Sequence, residues 1–328
     1  MFSKVISFLK STFNAPKQLF VYSQLDFIGD VHGHYNELVG LLRKMEYETL
    51  NGVWQHPQRK AVFVGDFVSR GPSSLKVLEL VKSMVENHKG YAILGNHELN
   101  MVGYFSLRKN GQPIASLAPS NQAQMEQIKN ECESVEELNT ALKWLKRQPL
   151  YIDFGSARAV HAYWSKRNIS IINSTLRISK LSKKRIKEIF KGNTEFAKAV
   201  GQTTRGIEID LPKDLIVKDS KSVRRTNFRI KWWEDPQNKT FRAISFGNRF
   251  ELPEYTIPKE LLSPFEVYPP KDPMVFFGHY CLNSNPLIIS HNICCLDSCV
   301  AGSGKKLTAY RWQGERKLDP EHLINFKQ

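Results

Sequence analysis

Apolar runs that stop at a glycine followed by a small polar residue recur in the first third of the chain: LDFIGD at 25–30, AVFVGD at 61–66 and YAILGN at 91–96. A short, continuous apolar run bounded this way reads as a buried strand that ends in a sharp turn. Between the runs, NELVGLLRKM at 36–45 and SSLKVLELVKSMV at 73–85 space their apolar residues at helical period. The opening third therefore predicts a β-α-β-α-β series with adjacent parallel strands. Polar residues just past each strand then meet at one edge of the sheet.

From about 103 the pattern weakens into polar, Gln- and Asn-containing sequence, until SVEELNTALKWLKR at 134–147 resumes as an amphipathic helix opened by Ser-x-x-Glu. Residues from about 103 to 148 thus predict a helical insertion over the core. Strands return at 150–154 and 158–162. The stretch from about 165 to 265 carries a lysine-rich helix and Pro212, Pro236, Pro253 and Pro264, and it predicts a cap or lid instead of a regular layer. Strand-like runs then close the chain: MVFFGH at 274–279, PLIIS at 286–290, NICCLD at 292–297 and KLTAYRW at 306–312. These elements predict one domain over 21–328, preceded by a segment at 1–20. In that segment Phe2, Val5, Ile6, Leu9 and Phe13 share a helical face, with Lys4 and Lys10 elsewhere. Such a face suits packing on the protein's own body, with a membrane surface as the alternative, and it is too short and lysine-interrupted for a secretory signal.

Composition narrows the class. With 41% hydrophobic residues and a mean hydropathy of -0.39, the chain reads as globular, and no apolar run approaches the roughly 18 residues that a membrane span needs. Five cysteines without paired C-x2-C units argue against a structural zinc site and suit free thiols in a reducing, cytoplasmic setting. The net charge of +15 predicts attraction to phosphate-bearing partners: a phosphorylated protein, a nucleotide or nucleic acid. Nucleic acid is the less favoured partner. The basic clusters Lys183, Lys184, Arg185, Lys187 and Arg224, Arg225, Arg229, Lys231 lack the aromatic interleaving of a stacking platform, and the Trp232–Trp233 pair reads as core or lid packing.

The strand-end turns carry the chemistry. GDVHG at 29–33 sets a carboxylate and an imidazole two residues apart, GDFVSRG at 65–71 adds Asp66 and Arg70, and GNHE at 95–98 adds the Asn96 amide and His97. Mixed carboxylate, imidazole and amide ligands suit Mn, Fe or Zn, and a carboxylate can bridge two such cations. A cation pair lowers the pKa of a shared water, which can then attack phosphorus in line. Glu98 and Asp297 read as structural, the first as a helix cap and the second as a loop tie. AGSGKK at 301–306 lacks the spacing and the hydroxyl of a phosphate loop.

The series GDVHG, GDFVSRG, GNHE, VHA at 160–162 and FGH at 277–279 resembles the calcineurin-like metallophosphoesterases of the phosphoprotein phosphatase type. Within them it is similar to bacterial and phage Ser/Thr phosphatases and to diadenosine tetraphosphatases. The resemblance implies a four-layer α/β fold, a central two-sheet β-sandwich flanked by helices. It also implies two divalent metal ions, manganese first and iron or zinc as alternatives. The first would be held by Asp30, His32 and Asp66, the second by Asp66, Asn96, His161 and His279. It assigns His97 as the general acid and Arg70 as a phosphate-gripping arginine, and it calls for a second such arginine from the middle region, Arg229 with Arg225 in reserve. Hydrolysis of phosphomonoesters, phosphoserine or phosphothreonine first, is the implied function. A dinucleoside polyphosphate hydrolase is the alternative, and a weakly catalytic phosphate-binding protein a third reading. One position departs from the pattern. The usual motif Gly-Asp-x-x-Asp-Arg-Gly supplies a carboxylate that orients the acid, and Ser69 stands there in this chain, so His97 loses a negative neighbour that would raise its pKa.

Overall fold

The apolar runs of the opening third form the short strands Leu25–Ile28, Lys60–Phe63 and Gly90–Ala92, each stopping just short of its glycine. They pair in parallel, with Phe27 opposite Val62 and Val62 opposite Tyr91. The helices Tyr35–Lys44 and Ser74–Glu86 make the crossovers. Antiparallel strands Lys306–Trp312 and Leu323–Lys327 extend the same sheet on the Leu25–Ile28 side. A second five-stranded sheet runs in the order Ile288–Ser290, Ile293–Cys295, Met274–Phe277, Ala157–Val160, Tyr151–Asp153. The computed structural model describes residues 24–176, 180–212, 216–218, 224–247, 251–262, 265–282, 287–302 and 306–327. The segment 1–20 lies outside them.

Successive side chains on a strand point to opposite faces, and the core divides accordingly. Phe27, Val62, Ala159, Phe276 and Leu296 fill the space between the two sheets, where the rings of Phe27 and Phe276 stack at 3.9 Å between centroids. Their neighbours face outward. Ile28 and Phe63 meet Leu38, Leu41, Val77 and Val81 of the crossover helices, together with Leu142 and Leu145 of the helix Val135–Leu145. Val275 and Phe277 meet the 165–265 region, where Trp232 is fully buried against Phe277 and Tyr163. The result is the mixed α/β fold that the resemblance implied, a two-sheet sandwich covered on both faces.

The insertion holds two helices. Val135–Leu145 starts where its capping signal lies: Ser134 Oγ accepts from the Glu137 amide at 3.1 Å, and the Glu137 carboxylate accepts from the Glu133 amide at 2.7 Å. The other, Pro119–Glu131, carries only a faint apolar period in the sequence, because only Met125 and Ile128 are buried. It is tied to the metal-motif loop. Gln127 donates to the Gly71 carbonyl at 3.1 Å, and Glu131 accepts from the Leu75 amide at 2.8 Å. The 165–265 region is more regular than its prolines suggested, with helices Lys166–Thr175, Lys183–Lys191 and Glu195–Arg205 capped by Ser165, Ser182 and Thr194. The cysteines also differ from the free set expected: Cys281 and Cys299 form a disulfide, while Cys132, Cys294 and Cys295 are free. No helix among the described residues is long and apolar enough to cross a membrane.

Candidate metal centre

Backbone hydrogen bonds fasten the strand-end turns to one another. The Val31 and His32 amides donate to the Asp66 carbonyl at 3.1 and 2.8 Å, and the Gly33 amide to the Phe67 carbonyl at 2.7 Å. Glu98 is the hub. Its buried carboxylate accepts from the amides of Asp66, Phe67, Val68 and Gly95, at 2.8, 2.8, 3.2 and 2.8 Å. Burial raises Glu98 to about 7, as does the charge of Asp66, while the donated N–H groups oppose the rise. The helix cap read from the sequence is therefore present, and the same side chain also builds the Asp66 turn. His32, Asp66, Ser69, Arg70 and His279 all adopt positive φ, between 47° and 74°, a region that non-glycine residues rarely occupy and that tends to cluster at functional sites. Two glycines are required by contact: a Cβ on Gly95 would strike Asp66 Oδ1, and one on Gly278 would strike Asp30 Oδ1.

These turns bring the predicted ligands together around Asp66. Its Oδ2 lies 3.7 Å from His32 Nε2, 3.3 Å from His161 Nε2 and 4.0 Å from His97 Nε2. His161 Nε2 is also 3.2 Å from Asn96 Oδ1. Asp30 Oδ2 is 3.9 Å from His32 Nε2 and accepts from the His279 amide at 2.9 Å. Two groups of potential ligand atoms result, His32–Asp66–His97 and Asp66–His161–His279, each within 4.8 Å. Asp66 belongs to both. Asp30 Oδ1 and His279 Nε2 are buried without a hydrogen-bond partner among the described residues, the condition expected of atoms placed to bind a cation.

The electrostatics fit the same use. Burial, with Arg70 adding to it for His32 and Arg229 for His279, holds both imidazoles well below their ordinary range, so each is a neutral ligand. Asp66 is held well below the usual carboxylate range: burial alone would raise it, and His161 and His97 outweigh that. Burial likewise would lower His161, but Asp66 and then Asp30 outweigh it and raise the imidazole to about 10. Second contacts fix the rings, His161 Nδ1 lying 2.8 Å from the Val64 carbonyl and His32 Nδ1 3.3 Å from the Val68 carbonyl.

Around the ligands, Arg70 is exposed and shares a cavity of about 490 Å³ with His32, Gln124, Gln127, Cys281 and Cys299. Arg229 sits on the strand Asn227–Arg229, its guanidinium 5.7 Å from the Tyr280 ring centroid and 3.4 Å from Glu208 Oε1. Arg225 lies exposed on the short strand Arg224–Arg225, whereas the charge of Arg229 acts on His279. The Ser69 Oγ is buried and has no partner among the described residues, so the hydroxyl does not stand in for the missing carboxylate. Two further charged residues, Asp297 and Arg205, flank the site. Asp297 is buried close enough to act on Asp30, besides tying its loop by accepting from the Cys299 amide at 2.9 Å. Arg205, at the end of the helix Glu195–Arg205, reaches the helix that carries His97. No local motif marks it.

A family model described as calcineurin-like phosphoesterase matches residues 24–282. An asymmetrical bis(5'-nucleosyl)-tetraphosphatase from Geobacillus sp. (strain WCH70) is 46% identical over 90 residues, 27% of this chain and 36% of that protein. A symmetrical bis(5'-nucleosyl)-tetraphosphatase from Klebsiella pneumoniae is 37% identical over 124 residues, 38% of this chain and 36% of that protein. Each alignment thus spans about a third of the relative's length. Among solved structures, a protein serine/threonine phosphatase from Saccharomyces cerevisiae aligns over 93% of this chain and 79% of its own, with a TM-score of 0.46 and 15% identity. The family model covers most of the chain, and its span takes in every candidate ligand from Asp30 to His279: this protein belongs to the calcineurin-like phosphoesterases.

Proposed function

We propose that the centre holds two divalent cations and hydrolyses dinucleoside polyphosphates. Asp30, His32 and Asp66 serve one cation and Asp66, Asn96, His161 and His279 the other. The observation that carries the reading is Asp66, whose carboxylate lies with His32 and His97 in one cluster of candidate ligand atoms and with His161 and His279 in the other. Bound cations would supply Lewis acidity toward a phosphoryl oxygen and lower the pKa of a water. The chain's own groups do the rest. Arg70 and Arg229 bind phosphoryl oxygens through planar forks, and His97, beside Asp66, gives a proton to the leaving oxygen. Gly95 and Gly278 leave room for the backbone to press against Asp66 and Asp30.

The substrate class is supported by the names of the similar proteins, which act on bis(5'-nucleosyl) tetraphosphates. Phosphoserine and phosphothreonine are the second reading, favoured by the exposed Arg70 at the mouth of the cavity, where a phosphorylated side chain on a polypeptide has access. Two assays run side by side test both. With added manganese the chain should release product from diadenosine tetraphosphate at least tenfold faster than phosphate from a phosphoserine peptide, and His97→Ala should lose about 10²-fold or more. The reverse preference makes the peptide the substrate, and a lack of either reaction, with p-nitrophenyl phosphate also untouched, removes the hydrolytic reading.

A further inference from the structure

A phosphate monoester brings at most two negative charges, and Arg70, Arg229 and the proposed cations already answer them. Arg205 is a third guanidinium turned to the same place. It is half-buried, and among the described residues its one side-chain hydrogen bond runs from Nη2 to Asn100 Oδ1 at 3.3 Å, with no carboxylate in salt-bridge contact. Asn100 stands one turn beyond Asn96 on the helix Asn96–Tyr104, so Arg205 looks onto the helix start that carries His97. The positive charge of Arg205 acts on His97 and is itself attracted by Asp66. Glu208 is close enough to act on it but is paired with Arg229, and Arg229 repels it. A guanidinium offers five donors in a rigid fork, and a partly desolvated cation short of partners and set against a second cation is stabilised when an anion arrives.

We infer that Arg205 determines specificity by receiving a second phosphoryl group, adjacent to the one that the metal ligands and Arg229 address, so that the site selects a phosphoanhydride chain over a monoester. This rests on the proposed hydrolase reading for its biological meaning, but the binding preference can be measured without turnover. Isothermal titration of the full chain, with and without manganese, compares a methylene-bridged adenosine diphosphate analogue with inorganic phosphate. The wild-type chain should bind the analogue more tightly, and Arg205→Ala should shrink the ratio of the two affinities at least tenfold. Arg205→Lys keeps the charge, loses the fork and should fall between them, which also guards against an alanine variant that folds poorly. Equal weakening of both ligands, or an unchanged ratio in both variants, overturns the assignment. If the ratio falls as stated while the wild-type chain hydrolyses neither p-nitrophenyl phosphate nor diadenosine tetraphosphate, the hydrolase reading fails and the role of Arg205 stands.

Discussion

His161 carries a proton in the metal-free chain because Asp66 and Asp30 outweigh its burial and raise it to about 10. A cation must displace that proton, since only the neutral imidazole is a ligand. Manganese affinity should therefore rise at least about tenfold per pH unit between pH 6 and 8, since His161 gives up one proton and the Asp30 carboxyl, raised well above its usual range by burial and by Asp297, adds to it where protonated, with proton release detectable by titration in buffers of different ionisation enthalpy. Affinity independent of pH would contradict the assignment. The linkage has the opposite sign for metal-free stability. A pKa raised above the ordinary 6.5 gives a contribution that is complete below that value and is lost as pH climbs through 10. Ser69 supports a second prediction at this scale. Its unpartnered hydroxyl adds no second carboxylate beside that of Asp66 at His97, and aspartate tolerates the positive φ of 74° found there. Ser69→Asp should raise the His97 pKa and speed hydrolysis of alkyl phosphates, which have poor leaving groups, by roughly tenfold; no change or a slower rate in a steady-state assay counts against it.

The strand-end turns are the elements on which the centre depends, and Glu98 holds two of them through four amides. Glu98→Ala leaves those donors buried without partners, at a cost of about 3 kcal/mol or more. A melting temperature within a degree of wild type, measured on the metal-free chain, would show that the turns stand without it. The elements differ in how plainly the sequence announced them. The runs at 25–30, 61–66 and 91–96 are legible because strands buried on both faces demand continuous apolar residues and because the turns after them need glycine at Gly29 and Gly95, where a Cβ would strike Leu296 and Asp66. The helix Pro119–Glu131 is hidden by its own exposure, since two buried residues in four turns leave hardly any period to read. Arg205 is invisible for a different reason: what places it is the packing of the helix Glu195–Arg205 against the rest of the fold, a long-range fact with no short motif. The Cys281–Cys299 pairing is likewise set by the approach of two loops that follow separate strands.

Over the whole molecule, the ligands come from residues as far apart in sequence as Asp30 and His279, and both five-stranded sheets deliver them. Asp30, His32, Asp66 and Asn96 follow strands of the first sheet, His161 and His279 strands of the second. The sandwich core between the sheets, centred on Phe27 and Phe276, thus sets the distance across the site, and the metal pair would join its two halves. The measurement that addresses this most directly is metal stoichiometry on the dialysed full chain by mass spectrometry of manganese, with Asp66→Asn beside the wild type. The account predicts two ions per wild-type chain and one or none in the variant, because that single carboxylate serves both positions. A wild-type chain that retains no manganese, or a variant that still holds two ions, would contradict it.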